Sequence, residues 1–402
     1  MLKRTPFHER TSALCVSEMW RRWAGHVVAS SYELQHDREY HSIRSSAALL
    51  DVSPLYKYVV SGPDAARLLD RVVTRDVPRM QPGQVVYTTW CDTAGRVIDD
   101  GTIARLDAHR YRMTSADPSL RWLHENAVGM RVTVEDVSDA TAALALQGPS
   151  SRSILEQLTQ TNLSGLKYFR LTSLAAHGIP VTISRTGYTG DLGYELWLDP
   201  RDALPLWDAL IEAGTPFGIT PAGMLALDIA RIEAGLMLAE VDYVSAHHAL
   251  LPSQTSSPLE LNLAWTVKLE KPFFVGRDVL AAEHKAGPEW NFVGIEVDWD
   301  SLEGLYAKFK LPPRLPAAAW RTSVPLYSSR HPERSEGAQV GYASSGCWSP
   351  LLKKYIALAH VRAPFGAPGQ PLEMEMTVEH TRQRAAAKVV PTPFFNPERK
   401  RA

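Results

Sequence analysis

The chain has 402 residues, with 43 lysines and arginines against 44 aspartates and glutamates and a formal net charge of −1. That length suits two or three domains rather than one core, and the balanced charge supplies no field to steer nucleic acid or an anionic membrane. Three scattered cysteines, Cys15, Cys91 and Cys347, with no CxxC, argue against a disulfide framework or a thiolate zinc site. No apolar core of signal-peptide length follows MLKRTPFHER, and no run of about eighteen apolar residues occurs. A soluble, cytoplasmic protein with no membrane or nucleic-acid partner is expected.

In chain order, residues 1 to 50 read as mostly helical, with Trp20, Trp23 and several charges. A strand is expected at 56 to 60. GPDAARLLDRVV then reads as a helix opened near Pro63 and Asp64, with Ala66, Leu69 and Val73 on one face. Residues 85 to 115 form a meander, VVYTTWCD, RVIDDGTIARL and YRMTSA, with residues 107 to 110 as a hairpin loop. TAALALQGPSSRSILEQL runs a strand into a helix through Gly148 and Pro149, and IPVTISRTGYTGDLGYELWL is a strand, a glycine-rich loop and a second strand. DALPLWDALIEAG and TPAGMLALDIARIEAGL are two helices, the second with Thr220 as N-cap, Pro221 at its first turn and Gly235 near its end. Beyond residue 285, short strands broken by Pro and Gly predict an all-β barrel or sandwich. Two insertions interrupt it, near 301 to 320 and near 328 to 338, the latter reading as a solvated loop.

CDTAGRVIDDGTIARL sets Asp99 beside Asp100 on a strand. Carboxylates are poor strand residues and adjacent ones repel unless each has its own partner; alternation sends them to opposite faces. They fit a wet strand end, or a cavity in which one acid stabilises a developing cation. In SRTGYTGDLGYE, Gly187, Gly190 and Gly193 permit close backbone approach to a ligand or a tight turn. No GK[ST] follows, and the leading strand feeds no helix, so neither a P-loop nor a dinucleotide fingerprint fits. Glu195, between Tyr194 and Leu196, is expected to be buried on at least one face and to need a cationic or multi-donor partner. A heterocycle with an amino group beside a ring N–H is one such partner, and Arg185 is another. His247 and His248 lack an H-x-x-x-H spacing or a nearby carboxylate set, so no metal is expected. The serines lack a G-x-S-x-G elbow, which disfavours a hydrolase.

The ordered stretches LLDVSPL, VVYTTWCDTAGRVIDDG, LALQGP, SRTGYTGDLGYEL, PAGMLALDIARIEAGL, SPLELNLAWTVKLEKPFFVGRDVL and VGYASSGCWSPLLKKYIALAHV resemble the glycine cleavage T-protein (aminomethyltransferase) family. The resemblance implies an α+β, three-lobed fold. Residues 1 to 285 would form the folate-binding α/β region and residues 286 to 395 a C-terminal β-barrel domain. It implies a tetrahydrofolate-dependent one-carbon (aminomethyl or methyl) transferase, with Asp100 as catalytic carboxylate and Glu195 as the pterin anchor. Tyr87 and Leu55 match pocket-lining positions, Tyr188 lies in the signature loop, and either Tyr168 or Phe169 matches an aromatic packed near the cofactor. Family chemistry needs no metal. The chain departs from the family at Leu227, where GLGARD would place an arginine, and at Pro54, where a histidine commonly stands. Loss of that arginine removes a cation near the site. It weakens the case for an aminomethyl donor on a lipoyl-carrier protein and leaves demethylation of a small N-, O- or S-methyl donor as an alternative. A folate-binding accessory protein without turnover is the other reading, although EKPFFVGRDVL lacks the K-G-C-Y-x-G-Q-E of such proteins.

Overall fold

The structure is a computed structural model that describes residues 2–328 and 338–401. The N-terminal elements are β1 (Lys3–Arg4), α1 (His8–Leu14), β2 (Met19–Trp23), β3 (His26–Ser31), α2 (Asp37–Ser45), β4 (Ala47–Asp51), β5 (Tyr56–Ser61) and α3 (Ala65–Val72). Next come β6 (Val85–Cys91), β7 (Val97–Arg105), β8 (Arg110–Ser115), α4 (Leu120–Asn126), β9 (Thr133–Asp136), β10 (Ala142–Gln147) and α5 (Ser151–Thr159). They are followed by β11 (Leu171–Ala176), β12 (Ile179–Ser184), β13 (Gly193–Leu198), α6 (Ala203–Gly214), β14 (Ile219–Pro221), α7 (Met224–Glu233) and α8 (Arg277–Ala286). The C-terminal part holds β15 (Trp290–Val297), α9 (Trp299–Ala307), β16 (Val324–Ser328), β17 (Gln339–Ser349), β18 (Lys354–Arg362), β19 (Pro371–Val378) and β20 (Thr381–Val390).

Two sheets carry the N-terminal architecture, in strand orders β11-β12-β13-β10-β4-β14 and β6-β7-β8-β5-β9. Each has one face under helices. Strand β10 shows why the two faces differ. Ala142, Leu144 and Leu146 join a core with Leu206, Trp207 and Leu210 of α6, whereas Ala143 and Ala145 point the other way. Those alanines pair with Trp197 and Glu195 of β13, so small residues make room for a large ring and a carboxylate on the inner face. In the second sheet Tyr58, Val60, Ile103 and Met113 pack under Leu68, Leu69 and Val72 of α3.

The third unit is the closed barrel β15-β18-β17-β16-β19-β20. Its interior is filled by Ile295, Leu326, Ala357, Met374 and Val389, while Cys347, Ile356 and Leu358 join the core shared with α7 and the two sheets. The barrel is thereby seated on the N-terminal unit through apolar contact. Glu233 adds a polar lock, accepting from Arg44 Nη2 at 2.6 Å, from Tyr40 and from Ser349 of β17. The α+β fold with a terminal barrel is as the resemblance implied. The segment 329–337 of the second insertion lies outside the described residues. No described helix is long and apolar enough to cross a membrane.

Three local expectations differ from the structure. Trp20 and Trp23 lie on β2 of a hairpin, not on a helix, because Ala24 (φ 44) and Gly25 (φ 78) form its positive-φ turn. Thr220 and Pro221 form strand β14 beside β4, and α7 begins at Met224 after Gly223; a short edge strand tolerates the missing proline N–H. The buried face of α3 is Ala65, Leu68, Leu69 and Val72, with Ala66 only half-buried.

Candidate active site

The inner faces of the two sheets meet where the guanidinium of Arg112 lies 3.9 Å from the ring centroid of Trp197. Register assigns the groups on each side. Tyr87 opposes Thr102, Thr89 opposes Asp100 and Ala104 opposes Arg112, so Tyr87, Asp100 and Arg112 share one face. Glu195 and Trp197, two residues apart on β13, share the face opposite.

A register shift between Trp90 and Cys91, opposite residues 97 to 99, adds an extra residue beside the acid pair. Bulges of this kind re-aim neighbouring side chains. Gly101 follows because a Cβ there would stand 2.0 Å from the carbonyl oxygen of Thr114. Asp99 is sealed off and held by the backbone N–H groups of Asp100 (2.8 Å), Ala116 (3.0 Å) and Asp117 (2.9 Å). Asp100 is half-buried and accepts from two phenols, Tyr87 at 2.8 Å and Tyr243 at 2.5 Å. Burial raises both carboxyls above the ordinary range, and Asp99 rises further from the charge of Asp100. The donors oppose that rise, which is how two adjacent acids persist on one strand.

Glu195 is half-buried and takes a hydrogen bond from Thr186 at 2.5 Å. Burial raises it, and the Thr186 hydroxyl and Arg112 act against the rise. Arg185 turns to the carbonyls of Leu166 (3.0 Å) and Lys400 (3.2 Å). Tyr87 stacks on Trp265, centroids 5.8 Å apart at 23°. Leu55, Tyr87 and Tyr188 are half-buried against the same apolar cluster, and the Tyr188 hydroxyl donates to the Met237 carbonyl. Of the two neighbouring aromatics, Tyr168 lies within the electrostatic reach of Glu195, and burial pushes its hydroxyl up to about 12. Phe169, at φ 58, accepts from Val85 N at 2.9 Å and donates to Arg185 O at 3.0 Å through its backbone, and its ring meets that of Tyr168 with centroids 4.6 Å apart.

Leu227 is buried, and the adjacent Asp228 is gripped by Arg321 at 2.5 and 2.7 Å and by Arg21 at 3.4 Å. Arg321, which follows residues 301 to 320, thus brings a cation to α7, and Arg112 brings another between the sheets. His248 Nδ1 lies 3.1 Å from Glu240 and 3.4 Å from Asp117, carboxylate partners that sequence spacing did not reveal. A separate recess of about 390 Å³ opens between α9, residues 314 to 325 and β19, away from all the candidate site residues.

Tyr243, Trp265 and Arg112 were missed from the sequence. Tyr243 is 143 residues from Asp100, and Arg112 reads as an ordinary outward strand residue in YRMTSA.

Two half-buried carboxylates, Asp100 and Glu195, thus stand on the facing inner surfaces of the two N-terminal sheets of an α+β chain that ends in a closed barrel. The chain matches the GCVT N-terminal domain over residues 8–271 and the glycine cleavage T-protein C-terminal barrel domain over residues 319–396. It belongs to the glycine cleavage T-protein family. It is 34% identical over 361 residues to an aminomethyltransferase of Halothermothrix orenii, covering 89% of this chain and 90% of that one. It is 32% identical over 416 residues to a trimethylamine-oxide aldolase of Ruegeria pomeroyi, covering 100% of this chain and 48% of that one. A solved aminomethyltransferase T from Bartonella henselae shares the fold, with a TM-score of 0.81 over 98% of this chain and 99% of that one at 22% identity.

Proposed function

We propose that the chain is a tetrahydrofolate-dependent one-carbon transferase whose pocket lies between the inner faces of the two sheets. The observation that carries this reading is the placement of two half-buried carboxylates, Asp100 and Glu195, on those opposed faces. The residues fit a reduced pterin. Glu195 offers a carboxylate to an amino and ring N–H pair, Arg112 is a buried guanidinium with an unpartnered Nε, and Tyr87 and Trp265 supply an aromatic wall. Bound tetrahydrofolate supplies the secondary-amine nitrogen N5 that receives the one-carbon unit.

Asp100 is the catalytic carboxylate in this reading. Its ionised form stabilises positive charge developing beside it, and the phenols of Tyr87 and Tyr243 fix both oxygens so that no reorganisation is needed during the reaction. Asp99, held by three backbone amides, anchors the strand. Leu55 and Tyr188 line the pocket and Tyr168 borders it near Glu195. Alignment of the nucleophile with the donor carbon supplies much of the remaining rate.

A small methylated donor is the second reading of the substrate, favoured by buried Leu227 in place of a family arginine and by the match of this chain to 48% of the trimethylamine-oxide aldolase. A carrier-bound aminomethyl group is the first, favoured by the aminomethyltransferase relatives. Titration of the purified protein with tetrahydrofolate, beside Glu195→Ala and Asp100→Asn, tests the pocket. Saturable binding lost in Glu195→Ala supports it, and Asp100→Asn then lowers turnover more than affinity. Absence of binding by folded wild type refutes it. Binding without turnover on either donor class would instead identify an accessory protein.

A further inference from the structure

Arg112 is 8% exposed, its Nε is sealed from solvent without a partner, and its side chain makes no hydrogen bond to any described residue. Leaving buried donors unmet is costly, so such a group in a native fold calls for an explanation. The countercharge acting on Arg112 is Glu195, yet no ion pair within 4.0 Å joins the two among the described residues. The guanidinium carbon lies over the Trp197 ring, 3.9 Å from its centroid, and Trp197 sits two residues from Glu195 on the same face of β13. An acceptor and a donor are therefore presented as near neighbours without satisfying each other.

A 2-amino-4-oxopyrimidine edge offers the complement: an amino N–H, a ring N–H and a carbonyl oxygen in a row. We propose that Arg112 is a specificity-determining residue of the pocket, donating to the 4-oxo oxygen of the pterin while Glu195 accepts from the 2-amino group and the N3–H. This assignment rests on the folate reading above. It also explains why an arginine springs from the face that carries Asp100 and Tyr87 and reaches over to Trp197. The oxo carbon adjoins the ring-fusion carbon that bears N5, so gripping the oxo sets N5 relative to Asp100. A guanidinium lying over an indole ring is restrained in position near this contact.

The test compares binding of tetrahydrofolate and of 4-amino-4-deoxy-tetrahydrofolate to wild type, Arg112→Met and Arg112→Lys, together with the melting temperature of each ligand-free protein. Part of any preference for the 4-oxo compound belongs to Glu195, because the 4-amino compound also lacks the N3–H; the change on substitution isolates Arg112. Arg112→Met is expected to weaken tetrahydrofolate about 10- to 100-fold and the 4-amino analogue by less than about threefold, with Arg112→Lys between the two. Ligand-free Arg112→Met is expected to melt at or above the wild-type temperature, since an unmet buried charge is removed. Equal losses for both ligands, or unchanged affinity for both, would overturn the inference and leave the folate reading standing. A ligand-free Arg112→Met that melts well below wild type would also overturn it, by making the guanidinium a structural partner. No binding of either compound by folded wild type would overturn both readings.

Discussion

Replacing Tyr243 by phenylalanine removes one oxygen from beside the acid pair and leaves the ring in place. That hydroxyl donates to Asp100 Oδ1 at 2.5 Å and faces Asp99 Oδ1 at 3.2 Å. A hydrogen bond to a charged acceptor contributes about 1.5–3 kcal/mol, a bias of about 10- to 100-fold toward the ionised carboxylate. Burial raises Asp100, and the phenols of Tyr243 and Tyr87 oppose it. The sign then follows from counting protons. Between the unfolded-chain value of about 3.9 and the raised folded value, the native state holds more protons than the unfolded chain, so stability falls as pH rises. Without the Tyr243 hydroxyl the fall continues to higher pH. The variant should match wild type within about 1 kcal/mol at about pH 4 and lie about 1.5–3 kcal/mol below it at about pH 8. Urea denaturation across that range, with unchanged m, measures both. An equal loss at both ends would refute the reasoning, because it would make the hydroxyl a neutral packing group rather than support for a charge.

Glu233→Gln should lose about 3–5 kcal/mol, because Arg44 would be left buried with Asp191 at 3.5 Å as its remaining acidic contact. The double variant Arg44→Met/Glu233→Leu should lose less than the sum of the single ones in the same denaturant assay. Trp265 is 54% exposed yet stacked on Tyr87. Trp265→Ala should therefore change stability by less than about 1 kcal/mol while weakening tetrahydrofolate about 3- to 10-fold in a binding titration. All three cysteines are buried, and burial pushes the Cys91 and Cys347 thiols up. A thiol reagent at neutral pH should consequently label the native protein slowly and label three sites in denaturant.

Some of the molecule was legible in the chain and some was not, for identifiable reasons. The meander of β6 to β8 and the strand pair flanking SRTGYTGDLGYE announce themselves by alternation and glycine, and both stand as read. The acid pair and Glu195 were visible as residues that break strand preference. The N-terminal hairpin was not, because Ala24 occupies a turn position where asparagine would have given the signal. Thr220 and Pro221 carry a strong helix-start pattern, but pairing with Ala48 and Leu49 of β4 takes precedence over it. Tyr243 lies in a stretch with no periodicity, and only the packing of distant segments brings its hydroxyl to the acids.

The distribution of local exceptions supports the proposed site independently of any relative. On the helix-covered faces of the two sheets, Leu144, Leu146 and Leu196 on one and Tyr58, Val60 and Met113 on the other follow the ordinary rule of apolar burial. Between the sheets the rule fails repeatedly, with a carboxylate at Asp100, a second at Glu195 and a guanidinium at Arg112 that no described residue bonds. Each departure lowers stability, and a fold selected for stability alone would place alanine or valine there, as β10 does at Ala143 and Ala145. Opposite charges gathered on facing surfaces but held out of contact make a poor core. In the function proposed above they form a receptor for a flat ring that brings donors and an acceptor on one edge, because binding would supply the partners that folding withholds.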